Sequence, residues 1–122
     1  MRTTACASCL IAVWSYVDNS RYQSLVDVAF RKVTDLFDAI DTDLADCESA
    51  GDVITITFAG NKRCVMNTQR PTRQIWLAAN ARAWHFSYNE TQQSWLDDKG
   101  QGDELFGTLT NIAREWGGVE LA

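Results

Sequence analysis

The order of its periodic segments is the feature that most limits how this chain can fold. Residues 21–40 place apolar side chains at the three- and four-residue intervals of an amphipathic helix. Residues 53–58 then alternate β-branched and aromatic side chains with threonine, as a strand with one buried face does. Helical spacing returns at residues 103–116. We therefore expect a helix, five or six strands and a second helix.

Short alternating runs and turn residues predict the remaining elements. Further strands are predicted at residues 46–48, 63–67, 74–78, 84–88 and 94–96, turns at 50–52 and 59–61, and a loop around Pro71. Asn19 or Ser20 is the expected N-cap of the first helix. Gly117 is expected to end the second helix in a left-handed conformation.

This order of elements predicts an α+β fold with two layers. Successive strands without helices between them form an antiparallel sheet. Because two apolar helix stripes can cover only one face, we expect an α-β-α sandwich. The N- and C-terminal helices would pack on one face of a five- to six-stranded antiparallel sheet. Residues 20–122 would form this domain, after a flexible tail at residues 1–19, and the other sheet face is left to solvent or a partner.

The charge balance and the N-terminal residues limit the classes of function. The formal net charge is −5, which argues against a general affinity for nucleic acids or anionic membranes. Residues 1–17 contain one base and no acid, and the apolar run at 9–14 is too short to span a bilayer. Such a segment is either the remnant of a mitochondrial presequence or a frayed tail. The sequence contains no nucleophile, phosphate-loop or dinucleotide motif. No catalytic constellation is therefore visible, and the question of enzymatic activity stays open.

The four cysteines do not form a recognised site. Cys6 and Cys9 make one C-x-x-C without a second pair, whereas a zinc site needs four ligands. Cys47 and Cys64 are expected to be small core residues of a protein in a reducing compartment.

Acidic and basic residues are segregated along the chain. Residues 35–48 contain six acids and no base, whereas residues 62–82 contain five bases and no acid. The six acids are Asp35, Asp38, Asp41, Asp43, Asp46 and Glu48. Carboxylate oxygens suit hard cations, and iron accepts them without thiolates. A merely solvated acidic helix face is the alternative, and any metal site here would be shallow, exposed and weak.

Trp76 is the second candidate functional residue. If its two neighbours in the chain face the helices, Gln74 and Trp76 face the open side of the sheet, because strand side chains alternate. His85 and Ser87 would share that face. A large aromatic side chain there is a candidate interface anchor. A register slipped by one residue would instead bury Trp76 in the core.

Three arginines, Arg70, Arg73 and Arg82, are expected to flank this surface. They would meet an acidic partner or, together with Trp76 and Trp84, stack on single-stranded nucleic acid. The net acidity and the lack of an RNA-binding signature weigh against the second alternative.

Three segments of the chain resemble the frataxin family. Residues 67–78, NTQRPTRQIWLA, are similar to the family's signature strand–loop–strand segment. Residues 46–58 look like its first hairpin, and His85, Phe86 and Trp95 fall where the family has similar residues. The similarity extends over residues 22–116. It implies an α-β-α sandwich of the kind expected above.

The resemblance also implies a function in iron–sulfur cluster assembly. Frataxins bind ferrous or ferric iron weakly, here through the six acids of residues 35–48, and a role as iron donor is a further expectation. They bind and regulate the complex of cysteine desulfurase and iron–sulfur scaffold protein through the open sheet. The resemblance implies Asn67, Gln74 and Trp76 for that contact. The candidate partner-binding residues are these three together with His85, which shares their sheet face, and Arg73, which is expected to flank it. Thr68 departs from the basic residue of many relatives, and His85 stands where some carry Arg.

Alternatives stay open for the activity, the oligomeric state and the location of the protein. Ferroxidase and iron-storage activity at the carboxylates is the enzymatic alternative, and a single-stranded nucleic-acid module is the alternative of another class. The resemblance favours a monomer, with iron-dependent oligomers as a further state. A mitochondrial location is expected, with a bacterial cytoplasm as its alternative.

Overall fold

Two helices and six strands make up the computed structural model, which describes residues 18–99 and 103–121. The elements are α1 (Asn19–Asp38), β1 (Ala45–Ala50), β2 (Val53–Phe58), β3 (Lys62–Gln69), β4 (Gln74–Ala79), β5 (Arg82–Asn89), β6 (Ser94–Asp97) and α2 (Leu105–Ile112). The strands form one antiparallel sheet in the order β1-β2-β3-β4-β5-β6. Both helices pack on one face, so the predicted fold class is confirmed.

The core lies between the helices and the sheet face that they cover. In β2, Ile54, Ile56 and Phe58 are buried, while the threonines between them are half-buried on the opposite face. The other strands repeat this alternation, because side chains along a strand point to opposite faces. α1 contributes Tyr22, Val26, Ala29, Val33 and Phe37, which recur at three- and four-residue intervals along one side. Each large side chain buried in this way contributes about 1.5–3 kcal/mol of transfer free energy.

Both ends of α1 differ from the prediction. The N-cap is Asp18, whose Oδ1 accepts a hydrogen bond from the backbone N–H of Arg21 at 2.8 Å. Asp18, Asn19 and Ser20 are all good N-caps, so composition alone does not select among them. The helix ends at Asp38 and not near Ile40. Asp41 therefore lies in the connection to β1.

The end of α2 is also displaced, by one residue. Residues Ala113–Gly117 form a π-helical turn, and the left-handed residue is Gly118, with φ 61°, and not Gly117. Gly117 is required for another reason: a Cβ there would lie 2.8 Å from Cδ1 of Phe58. The extra residue in the wider turn moves the cap along the chain.

Several smaller expectations can be compared with the structure. The loop around Pro71 contains one 3₁₀ turn, Arg70–Thr72. Cys64 is buried and Cys47 half-buried, and burial raises the pKa of their thiols to about 12 and about 11. Cys6 and Cys9 lie outside the described residues, as does most of the predicted tail. None of the described helices has the length and apolar character needed to cross a membrane.

Candidate docking face and acidic edge

Three predicted partner-binding residues lie side by side on the open face. In the sheet register, Trp76 of β4 pairs with Asn67 of β3 on one side and with His85 of β5 on the other. Ile75 and Leu77 are buried on the helix side, whereas Trp76 is only half-buried. The indole therefore faces away from the helices. The predicted orientation is confirmed, and the slipped register that would bury Trp76 is wrong.

The Trp76 indole is held in place by two neighbours. Its ring stacks on the His85 imidazole with 4.1 Å between centroids and 16° between planes. Its Nε1–H donates to Oε1 of Gln74 at 2.8 Å. Gln74 is itself only 8% exposed, and its Nε2 donates to Oγ of Ser87 at 3.1 Å and to Oδ2 of Asp98 at 2.9 Å. We call Asn67, Gln74, Trp76 and His85 the docking face.

Arg73, the fifth residue predicted for this contact, lies elsewhere. It precedes β4 in a left-handed conformation, with φ 53°. It lines a cleft together with Asn19 and Tyr22 of α1, on the helix side of the sheet. Arg73 thus lines a cleft beside α1, and its contact with a partner stays a prediction.

The six predicted iron ligands run from the last turn of α1 through the connecting loop into strand β1, which is the edge of the sheet. Asp38 is the last residue of α1, and Asp46 lies exposed on β1. Both are close enough to Cys47 to add, after burial, to the rise in its thiol pKa. Asp43 lies in the loop between them and donates its backbone N–H to Oδ1 of Asp41 at 3.0 Å. We call Asp35, Asp38, Asp41, Asp43, Asp46 and Glu48 the acidic edge.

The acidic edge carries concentrated charge without an assembled ligand set. Within residues 18–99 and 103–121, no three His, Cys, Asp or Glu side chains are grouped to hold a metal ion. In the same residues none of the six carboxylates forms an ion pair, unlike Glu90 with Arg21 at 3.0 Å. A cation here would be attracted by the summed charge and bound by rearranging side chains and water. The predicted iron site stays a prediction.

The arginines do not lie beside a pair of exposed tryptophans. Trp84 is only 5% exposed, and the Arg82 guanidinium lies 4.6 Å from its ring centroid. Arg70 lies 3.6 Å from a carboxylate oxygen of Asp52. Because Trp84 is buried, the expectation that nucleic-acid bases stack on both Trp76 and Trp84 is wrong.

Two residues of this region were missed in the sequence. Gln69 donates from Nε2 to Oδ1 of Asn67 at 3.3 Å and has the same strand parity as Asn67, so alternation in β3 could have identified it. Asp98 follows β6 and contacts Gln74. The predicted strand stopped at residue 96, and extending its alternation by two residues would have placed Asp98 on the open face.

The chain is similar to known proteins in both sequence and structure. A family model described as "Frataxin-like domain" matches residues 15–118. The "Iron-sulfur cluster assembly protein CyaY" of Pseudomonas aeruginosa is 38% identical over 106 residues, covering 86% of this chain and 95% of the relative. The protein of the same name from Stutzerimonas stutzeri is 36% identical over 105 residues, covering 86% and 94%. The solved frataxin of Psychromonas ingrahamii has a TM-score of 0.77 and 25% identity, covering 85% of this chain and 95% of that one.

The organisms of the relatives help to decide between the two predicted locations, mitochondrion and bacterial cytoplasm. Both curated relatives are bacterial. They favour the bacterial alternative and give the predicted mitochondrial location no support. The acid-poor start of the sequence was too weak a signal to identify a presequence, because such segments usually carry more Arg.

Proposed function

Because the chain belongs to the frataxin family, we propose that it acts in iron–sulfur cluster assembly by docking on the complex of cysteine desulfurase and scaffold protein and regulating it. The relatives from Pseudomonas aeruginosa and Stutzerimonas stutzeri are named iron-sulfur cluster assembly proteins, which supports a role in this process. The single observation that carries the docking step is the Trp76 indole, half-exposed on an open sheet face and fixed there by Gln74 and His85.

An anchor of this kind suits protein recognition. Large aromatic side chains dominate the binding energy of many interfaces, where they are surrounded by polar groups that exclude water. Immobilising a side chain on association costs about 0.5–1.5 kcal/mol. Trp76 is already held by a stack and a hydrogen bond, so most of that cost is met before docking.

We further propose that the acidic edge binds iron weakly as cargo. Six carboxylates without a paired base in the described residues create a strongly negative surface, and hard cations take oxygen ligands. Bound iron would reduce that charge and so tune the docking of a neighbouring partner, or pass to it. The proposed setting is a monomer in the bacterial cytoplasm, with iron promoting association. Ferroxidase activity stays a prediction.

Trp76→Ala tests the docking step. We expect the affinity for the purified desulfurase–scaffold complex to fall about thirtyfold or more, as for an aromatic hot spot. Isothermal titration calorimetry measures the change, and thermal unfolding followed by circular dichroism shows that the fold is kept.

Val28→Ala is the matched control, because Val28 is 67% exposed on α1, in the helix layer on the other side of the sheet. It removes exposed apolar surface away from the docking face and should leave the affinity unchanged. An unchanged affinity of Trp76→Ala, or an equal loss in both variants, would contradict the proposed docking step.

A further inference from the structure

Asp98 contacts two of the side chains that fix the docking face. Its Oδ2 accepts a hydrogen bond from Nε2 of Gln74 at 2.9 Å and lies 3.9 Å from Nδ1 of His85. Its backbone N–H donates to the carbonyl oxygen of His85 at 2.9 Å. These contacts link Asp98, Gln74, Trp76 and His85 into a closed ring of side chains, because the imidazole in turn stacks on the indole.

The chemistry of these groups shows which of them set the orientation of the Gln74 amide. An indole N–H can only donate, and a carboxylate can only accept. Oε1 of Gln74 must therefore face Trp76, and Nε2 must face Asp98. Ser87 also contacts Nε2, at 3.1 Å, but a hydroxyl serves as donor or acceptor and would tolerate either orientation. Asp98 and Trp76 therefore both disfavour the flipped amide, and Asp98 is the one of the two that acts on the amide from the side away from the indole.

We propose that Asp98 is the positioning residue of the docking face. Its carboxylate holds the Gln74 amide with its oxygen toward the indole and thereby fixes the Trp76 ring against His85. Asp98 acts through Gln74 and need not touch the partner. The effect of Asp98 on partner affinity rests on the proposed docking function, whereas its effect on the indole does not.

The first test reads the indole directly. In a ¹H–¹⁵N spectrum, the Nε1–H resonance of Trp76 is identified by its loss in Trp76→Phe. In Asp98→Ala we expect this resonance to move upfield and its hydrogen exchange to accelerate about tenfold, because the amide loses one of the two partners that hold its orientation. Asp98→Asn should leave the Trp76 resonance close to its parent position, since the introduced amide oxygen can still accept a hydrogen bond from Gln74. This variant replaces Asp98→Ala in the test if Asp98→Ala folds poorly.

Glu115→Ala is the control for loss of one negative charge, because Glu115 is exposed on the C-terminal helical turn. It should leave the Trp76 resonance unmoved. An unmoved resonance with unchanged exchange in Asp98→Ala would overturn the positioning role, whatever happens to partner binding.

The second test separates positioning from direct contact with the partner. We expect Asp98→Ala to weaken binding of the desulfurase–scaffold complex about three- to tenfold, and to have little further effect in a Gln74→Leu background. Equal losses in the two backgrounds would show direct contact and overturn the proposal. If Asp98→Ala moves the indole resonance while Trp76→Ala binds normally, the positioning role stands and the proposed docking function fails.

Discussion

The docking face and the acidic edge lie on one sheet but are built in opposite ways. On the docking face, Gln74 uses both hydrogens and the oxygen of its amide, and Trp76 has both a stacking and a hydrogen-bonding partner. On the acidic edge, six carboxylates lie along β1 and its flanks, and none has an ion-pair partner among residues 18–99 and 103–121. One region has fixed geometry, whereas the other mainly has charge.

This difference separates two kinds of recognition. A fixed aromatic anchor recognises shape, costs little entropy on binding and depends weakly on salt. A field of exposed carboxylates attracts cations of several kinds, binds them weakly and is screened within about 10 Å at 0.1 M salt. The acidic edge has a second use, because charge on an edge strand opposes edge-to-edge pairing with another sheet.

The largest effect on stability is expected from Gln74→Leu, which removes the amide at the centre of the docking face while keeping a side chain of similar size. The amide of Gln74 is buried and its part-buried hydrogen-bond partners lose their interactions, so the free energy of unfolding should fall by about 1–3 kcal/mol. Urea unfolding measures this change, and the Trp76 Nε1–H resonance should show faster hydrogen exchange, because the indole loses its acceptor.

Gln23→Leu is the matched control for this variant. The Gln23 amide makes one exposed hydrogen bond, to Asp27 at 2.9 Å, so its loss should cost under about 0.5 kcal/mol. Equal effects of the two substitutions would mean that the docking face is no more organised than an exposed helix surface, and the contrast drawn above would be lost.

Neutralising part of the acidic edge should change stability in the opposite direction. In the triple variant Asp35→Asn, Asp38→Asn and Asp41→Asn, relief of repulsion should raise the free energy of unfolding by about 0.5–1 kcal/mol at low salt. Iron binding, followed by calorimetry, should weaken in the same variant. The stability gain should shrink in 1 M salt.

The triple variant would contradict this view of the acidic edge in either of two ways. A loss of stability would mean that the carboxylates make favourable interactions. Unchanged iron affinity would place the iron site elsewhere. Asp18 must be left intact, because it caps α1 and its removal would destabilise the helix for a different reason.

The sequence predicted the layers and the orientation of Trp76 well because both depend on periodicity. The alternation of residues 74–78 was sufficient to place Ile75 and Leu77 inside and Trp76 outside. Periodicity does not determine the residues at which a helix begins and ends. Asp18, Asn19 and Ser20 cap helices about equally well, and the π-helical turn before Gly118 depends on how Gly117 packs against Phe58.

The candidate site was predicted only where residues share a strand face. Asn67, Trp76 and His85 come together through the register of β3, β4 and β5, which alternation anticipates. Alternation in β6 could have placed Asp98 on the open face, but its contact with Gln74 spans 24 positions of the chain, and no local pattern encodes that contact. Arg73 was assigned to the partner contact as a base expected to flank the open face, and in the structure it lines a cleft beside α1.

Cys47 provides a smaller test, because its thiol reports the charge of the acidic edge. Burial, Asp38 and Asp46 together raise its pKa to about 11. Replacing Asp38 and Asp46 with Asn should lower that pKa and speed alkylation at pH 8 by about two- to fivefold, since the thiolate is the reactive form. Peptide mass spectrometry after iodoacetamide, in a Cys6→Ser and Cys9→Ser background, gives the rate at Cys47.

Cys64 is the internal control for alkylation. It is fully buried, and burial is the main cause that raises its thiol pKa to about 12. Its alkylation should stay far slower than that of Cys47, both with and without the Asp38→Asn and Asp46→Asn substitutions. An unchanged Cys47 rate would show that the carboxylates of the acidic edge do not act on their surroundings through charge.

The smallest effect is expected at Glu90, a carboxylate that has the partner the acidic edge lacks. Two hydrogen bonds from Arg21, at 3.0 and 3.2 Å, lower the pKa of Glu90. The pair therefore stabilises the fold fully above the unfolded-state pKa of about 4.3 and loses that contribution as the pH falls through the lower folded-state value. Glu90→Gln should reduce stability slightly at pH 6 and flatten its decline below pH 4, in thermal unfolding followed across pH. Glu115→Gln, at an exposed position, should leave the decline as steep as in the parent, and a Glu90→Gln curve parallel to the parent's would show that pairing a carboxylate here has no energetic consequence.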